Sequence, residues 1–299
     1  MNETDDLPAN APDDRSLRFL FEDTDIRGET VHLGKAYRDI IALHQYAPAV
    51  SQLLGEFMAA AVLLSTTLKF EGKLILQARS EGQIPLLMVE CSNALEIRAI
   101  ARGADQATST NFDQLLSKGQ LVITIDPDQG QRYQGIVPLI GGSLAHSLDS
   151  YFEHSEQLGT RVWLAADGQR AAGLLLQQLP AQLTEDTAER SQQWAHASAL
   201  AETVQDDELL ALPTQTLLYR LYHEEPVRLF EPAAVSFRCS CSRQRTYNAL
   251  ASLGPSEVED LLQELGRITM DCEFCNQQYH FSREDMAEVL GEPGGRTLH

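Results

Sequence analysis

No stretch of this sequence reaches 18 consecutive apolar residues, so a membrane-spanning helix is not expected; the longest apolar run, Phe57 to Leu64, reads as part of a buried helix. Positive charge is scarce. Lys and Arg number 23 against 43 Asp and Glu, for a net charge of −20. Phosphate backbones and anionic lipid repel such a chain, which argues against nucleic-acid and membrane partners. The same charge keeps a protein soluble when apolar surface is exposed for part of its life. Residues 1–15 lack a basic segment followed by an apolar one, so export is not expected and a cytoplasmic location is. The 299 residues, 43% hydrophobic and 22% charged, suffice for two domains and a sizeable core.

Catalytic constellations are lacking too. Tyr222-His223-Glu224-Glu225 starts like the metalloprotease motif H-E-x-x-H, but position 227 is Val, so the second metal ligand is missing. Gly141-Gly142 marks a turn, and no phosphate-loop lysine follows it. Ser143, His146 and Asp149 fall on one short polar helix face, where such residues are ordinarily just solvated. No enzyme is expected.

Cysteine is sparse but concentrated. Of five residues, four form Cys239-Ser240-Cys241 and Cys272-Glu273-Phe274-Cys275. Paired thiols in two knuckles are the sequence sign of a tetrahedral Cys₄ zinc site, and in a reducing compartment metal or redox use outweighs structural disulfides. Four thiolates leave no open coordination position, so hydrolytic chemistry is excluded. Two roles stay open. One is an inert structural staple. The other is a redox switch, in which zinc holds the sulfurs as thiolates, the form that peroxide attacks. The C-x-C spacing, tighter than the usual C-x-x-C, shifts the balance toward the switch, but spacing alone leaves the staple ahead. His280, five residues after Cys275, is an alternative ligand or a strand residue near the site. Cys91 sits alone in an apolar strand and reads as a small core residue.

The chain divides by composition. Residues 1–15, with acids and two prolines, read as a disordered tail. Residues 16–182 form an α+β domain with a mostly antiparallel sheet and packed helices. Its strands are expected near 27–33, 73–79, 85–91, 97–101, 120–125, 134–139, 161–165 and 171–177, with helices over 49–68 and 144–153. Residues 183–232 are an acidic helical linker: over 183–231 there are ten acids, three arginines and no glycine. Helices are expected over 194–212 and 214–224. Their apolar residues are thin, so docking on a neighbour stabilises them, and the segment is expected to be the least stable of the folded chain. Residues 233–290 form the cysteine module, too small to be secure without its metal; structural zinc supplies roughly 10–16 kcal/mol of apparent binding energy. Residues 291–299 read as a flexible end.

Phe237-Arg238-Cys239-Ser240-Cys241-Ser242-Arg243-Gln244-Arg245, with Met270-Asp271-Cys272-Glu273-Phe274-Cys275 and then Tyr279 and Phe281, resembles the zinc centre of the redox-regulated 33-kDa heat-shock holdase chaperones. Further blocks match in order: Leu20-Phe21-Glu22 with Ile26-Arg27-Gly28-Glu29, Leu63 to Phe70 followed by Gly72, Gly130 to Val137, Tyr151-Phe152 with Ser155 to Leu158 and Thr160-Arg161, and Tyr219 to Glu225. The resemblance spans nearly the whole chain. It implies a stress-response chaperone of the bacterial cytoplasm that binds unfolded proteins without ATP. It carries the zinc-ligand role onto Cys239, Cys241, Cys272 and Cys275, with one Zn²⁺ per chain in the reduced state. It implies that oxidation releases zinc and forms two disulfides, Cys239–Cys241 and Cys272–Cys275. The zinc module and linker then unfold, exposing surface for unfolding clients. Active forms are homodimers, and clients pass to ATP-dependent refolding chaperones. The bottom-up expectation is that metal loss melts residues 183–290 and leaves 16–182 folded.

Two rivals remain. A nucleic-acid-binding zinc ribbon would use Arg238, Arg243, Arg245, Arg267 and Arg283, but the module carries nine acids and no basic face is expected. A zinc-stapled structural protein without a switch shares every residue with the preferred reading, and only reactivity separates the two.

Overall fold

A computed structural model describes residues 14–67, 71–155 and 158–292. The disordered tail and flexible end expected from the sequence fall largely outside the described residues, as does Leu68 at the end of the expected long helix. Asp14 and Arg15, counted with the tail, belong to the fold. Asp14 accepts the backbone N–H groups of Gly34 and Ala36 at 2.8 and 3.0 Å, and Arg15 opens the first strand.

The chain starts as β1 (Arg15–Phe21), β2 (Ile26–Leu33), α1 (Lys35–Ile41) and α2 (Pro48–Thr67). Three strands follow, β3 (Gly72–Arg79), β4 (Leu86–Ser92) and β5 (Glu96–Arg102), then α3 (Phe112–Leu115), β6 (Gln120–Pro127) and β7 (Tyr133–Pro138). Next come α4 (Leu144–Ser155), β8 (Thr160–Ala166), β9 (Ala171–Gln178) and the linker helices α5 (Thr187–Ala201), α6 (Asp206–Ala211) and α7 (Thr214–Tyr222). Short strands β10 (Val227–Leu229), β11 (Ala233–Ala234) and β12 (Ser236–Phe237) lead to α8 (Arg243–Ala251), α9 (Pro255–Leu265), β13 (Ile268–Asp271), β14 (Gln278–Phe281) and α10 (Ala287–Leu290). The architecture is α+β, and every strand pairing is antiparallel except β12 with β5.

Contacts divide the chain into two compact units, residues 1–237 and 238–299. In the first, one sheet runs β10-β1-β2-β9-β8, with β11 also on β1, and the other runs β12-β5-β4-β3-β6-β7. The helix α2 is apolar around most of its circumference and buried from Val50 through Ser65 except at Gln52 and Glu56. By length and apolarity it could cross a membrane; in this fold it is the core helix. Gly55 lets it approach the sheet, since a Cβ there would sit 2.8 Å from the Ala166 Cβ.

The strand β9 explains how the linker docks. It is buried at every position from Ala171 to Gln177, on both faces. Ala171 and Leu175 join the core around α2. Ala172, Leu174 and Leu176 point the other way and join Phe19, Phe21 and Ile26 in a second core. That second core is closed by the linker through Ala197, Ala201, Leu209, Leu210, Leu217, Leu218, Leu221 and Tyr222.

Three details differ from the sequence reading. The first linker helix begins earlier, at Thr187, where Asp186 caps it, and it ends at Ala201. A new helix restarts at Asp206 behind a Gln205–Glu208 capping box, so the expected 194–212 helix is two. Residues 227–229 and 233–234 are strands held by pairing with β1, and 236–237, expected in the cysteine module, pair with β5 in the first unit.

Candidate metal centre

The cysteines lie on two backbone devices of the second unit. The C-x-C pair immediately precedes α8. Ser242 caps that helix, its Oγ accepting the Arg245 N–H at 3.2 Å. Arg245 reaches back and donates to the Ser240 carbonyl at 2.8 Å and its hydroxyl at 3.0 Å, fixing the residue between the two sulfurs. The C-x-x-C pair occupies the tip of the β13–β14 hairpin. There the Cys272 carbonyl accepts N–H groups from Cys275 at 3.2 Å and Asn276 at 2.7 Å, and Cys272 N–H donates to the Gln277 carbonyl at 2.9 Å. Asn276 takes the left-handed conformation, φ 57°, that such a tight turn requires.

All four sulfurs lie within 4.8 Å of one another. Cys239 and Cys272 are 3.6 Å apart, and Cys241 and Cys275 are 3.4 Å apart. Four thiolates at about 2.3 Å from a tetrahedral zinc stand about 3.8 Å from each other, so the cluster fits the ion. Its electrostatics point the same way. Burial pushes the Cys272 and Cys275 thiols up from their ordinary range, and the Cys239 thiol adds to the shift at both. Without a cation these two thiols hold their protons; a dication reverses that preference and releases them. The Tyr279 hydroxyl donates to the Cys241 sulfur at 3.1 Å, a contact that orients the sulfur and would tune it as a ligand. The sequence reading placed Tyr279 in the motif without this role.

Around the cluster the apolar core is small: Leu250, Val258, Leu262, Ile268, Phe281 and Met286. Arg243 covers it, its guanidinium 4.5 Å from the Phe281 ring and paired with Asp285 at 2.9 Å. His280 stands on β14 with its Nδ1 3.0 Å from the Thr269 hydroxyl, outside the sulfur cluster. Cys91 is fully buried in the first unit, and burial pushes its thiol up to about 12, the state of an inert core residue. The Ser143, His146 and Asp149 set makes no triad. Ser143 accepts the His146 N–H at 3.1 Å, and Asp149 is engaged by Arg161 at 2.9 Å and by Val162 N–H at 2.8 Å.

The family model described as Hsp33 protein matches residues 14–282. The 33 kDa chaperonin of Pseudomonas paraeruginosa is 54% identical over 286 residues, covering 95% of this chain and 96% of that protein. The 33 kDa chaperonin of Azotobacter vinelandii is 55% identical over 284 residues, covering 94% and 96%. Both are bacterial proteins. A crystal structure of the 33 kDa chaperonin (heat shock protein 33 homolog) of Thermotoga maritima shares the fold, with a TM-score of 0.79, 20% identity and coverage of 93% of this chain and 98% of that one. With its family match spanning most of its length and its four sulfurs gathered into one cluster, the chain belongs to the Hsp33 family.

Proposed function

We propose that the protein is a redox-regulated, ATP-independent holdase of the bacterial cytoplasm, held inactive by one Zn²⁺ on Cys239, Cys241, Cys272 and Cys275. One observation carries the reading. A four-sulfur cluster suited to zinc follows, along the chain, a helical linker that covers an apolar sheet face. Bound zinc supplies a fold-stabilising crosslink and keeps the sulfurs deprotonated. Peroxide then oxidises them in two balanced steps. One thiolate displaces hydroxide from peroxide and becomes a sulfenic acid; its neighbour attacks that sulfur, a disulfide forms and a second hydroxide leaves. Two peroxides thus convert four thiolates to Cys239–Cys241 and Cys272–Cys275, and no ligand remains for the metal.

Loss of the crosslink leaves the small core of the second unit too weak to stay folded. The linker follows, baring Phe19, Phe21, Ile26, Leu174 and Leu176 together with its own leucines. A patch of that kind binds partly unfolded clients, and the charge of −20 keeps the open form in solution. In this reading the open form dimerises and returns clients to ATP-dependent chaperones once reductant closes it.

The test is light scattering of a thermally unfolding reporter protein, with zinc release followed by a chromogenic chelator in the same samples. Peroxide is expected to release zinc and switch on suppression of aggregation, and a thiol reductant to reverse both. Retained zinc, or release without suppression, leaves the centre a structural staple.

A further inference from the structure

The start of the linker is held differently from the rest of it. Residues 179–183 and the first turns of α5 converge on Asp25, in the turn between β1 and β2. Its carboxylate accepts the N–H groups of Gln182 at 3.0 Å and Leu183 at 3.1 Å and pairs with the Arg190 guanidinium at 2.5 Å. Its carbonyl accepts the Leu179 N–H at 2.7 Å. Arg190 closes the ring by donating to the Leu179 carbonyl at 2.6 Å, while its own carbonyl accepts from the Gln178 side chain at 3.1 Å. The Asp25 and Arg190 side chains are 6% and 15% exposed, so bulk salt screens the pair little.

Apolar packing contributes little here. The buried residues of α5 are Ala197 and Ala201, both near its C-terminal end. In its earlier turns the large apolar side chain is Trp194, partly buried with its ring packed on Gly159. In contrast, α6 and α7 bury Leu209, Leu210, Leu217, Leu218, Leu221 and Tyr222. The two ends of the linker therefore depend on different forces. Removing one member of a buried charge pair strands the other and leaves backbone donors without an acceptor. Leucine burial is spread over many contacts and has no such single point of failure.

We propose that Asp25 and Arg190 are positioning residues that keep residues 179–196 on the first unit, and that this end of the linker is a peel point opening separately from α6–α7 and from the metal centre. The proposal deepens the holdase reading and rests on it for the meaning of linker release. A chain that peels at 179–196 uncovers part of the linker's docking site while the zinc is still bound, giving a partly open state that needs no oxidant.

The experiment is amide hydrogen exchange on the full-length, reduced, zinc-loaded protein, comparing wild type with Arg190→Met and Asp25→Asn. In both variants, peptides from 179–196 are expected to exchange roughly a hundredfold faster. Peptides from 206–222 and from β3–β6, and the zinc content, are expected to match wild type. Arg190→Lys, which keeps the charge, is expected to restore most of the protection, which a mere loss of bulk would not predict. A second measurement uses wild type alone, with exchange followed in rising sub-denaturing urea; 179–196 is expected to open before 206–222. Unchanged exchange at 179–196 in both variants, or simultaneous opening of 179–222 in the urea series, overturns the inference. Failure of peroxide to switch on holdase activity sinks the holdase reading but leaves this exchange pattern standing, so the two fail separately.

Discussion

Glu56 places a carboxyl within the packing around α2, and burial pushes it up to about 7, with the Asp206 carboxylate of α6 adding to the shift. The ordinary value is 4.5, so between these two values the folded chain keeps a proton that the unfolded chain gives up. Stability from this group is therefore full below about pH 4.5, declines as pH rises and is lost above about 7, by about 3 kcal/mol at most. Denaturant melts of the first unit at pH 5.5 and pH 8 are expected to show that decline. Glu56→Gln is expected to reduce it and to stabilise the protein at pH 8, the remainder coming from Asp149, whose carboxyl burial also pushes up to about 7. At the four-sulfur cluster, Tyr279→Phe removes the hydroxyl that donates to the Cys241 sulfur. Metal retention against a competing chelator is expected to weaken about tenfold, with the far-ultraviolet circular dichroism unchanged. The four cysteines were legible because their spacing is local and their chemistry narrow. Asp25 was not. One acid among 43 does not disclose that its partners are backbone N–H groups 157 positions away.

Elements with a regular alternation are the ones the sequence reading located. In β3 and β4 buried and half-buried positions alternate along most of the strand, and the expected ranges differ from the structure by a residue or two. Elements defined by partners escaped. The strand β1 was divided between tail and domain, α1 was not anticipated, and β10 and β11 are three and two residues long and exist through pairing. The linker break at 202–205 rests on a side-chain cap that propensity alone does not rank. Between β1 and β2, Phe19 sits opposite Gly28 and its ring occupies the space of the missing side chain; a Cβ there would lie 2.0 Å from the Phe19 Cζ. Gly28→Ala is expected to push Phe19 into the linker's docking face and to cost about 1–3 kcal/mol. A lowered melting temperature, together with suppression of aggregation by the reduced protein, is the outcome to look for.

At the scale of the molecule, composition led to an expected boundary near residue 183 and cysteine spacing to an expected module from residue 233, whereas contacts divide the chain at 237. The contact boundary between Phe237 and Arg238 was not legible, because strand pairing across the chain decides it. Zinc chelation under reducing conditions is expected to abolish exchange protection in 238–290 while β3 to β6 keep theirs; protection retained in 238–290 would mean that the small core suffices alone. Cys272→Ser is expected to mimic chelation without any oxidant. The pairing of β10 and β11 with β1 has a further consequence. The linker is fastened upstream by β9 and downstream by these strands, so once released it is a closed loop of roughly fifty residues rather than a free tail, and lengthening such a loop costs little. Its docking face stays at a high effective concentration, and re-closure is a unimolecular event whose rate does not depend on protein concentration. A bound client competes with a tethered lid, and its grip must outlast the recurring return of the protein's own helices.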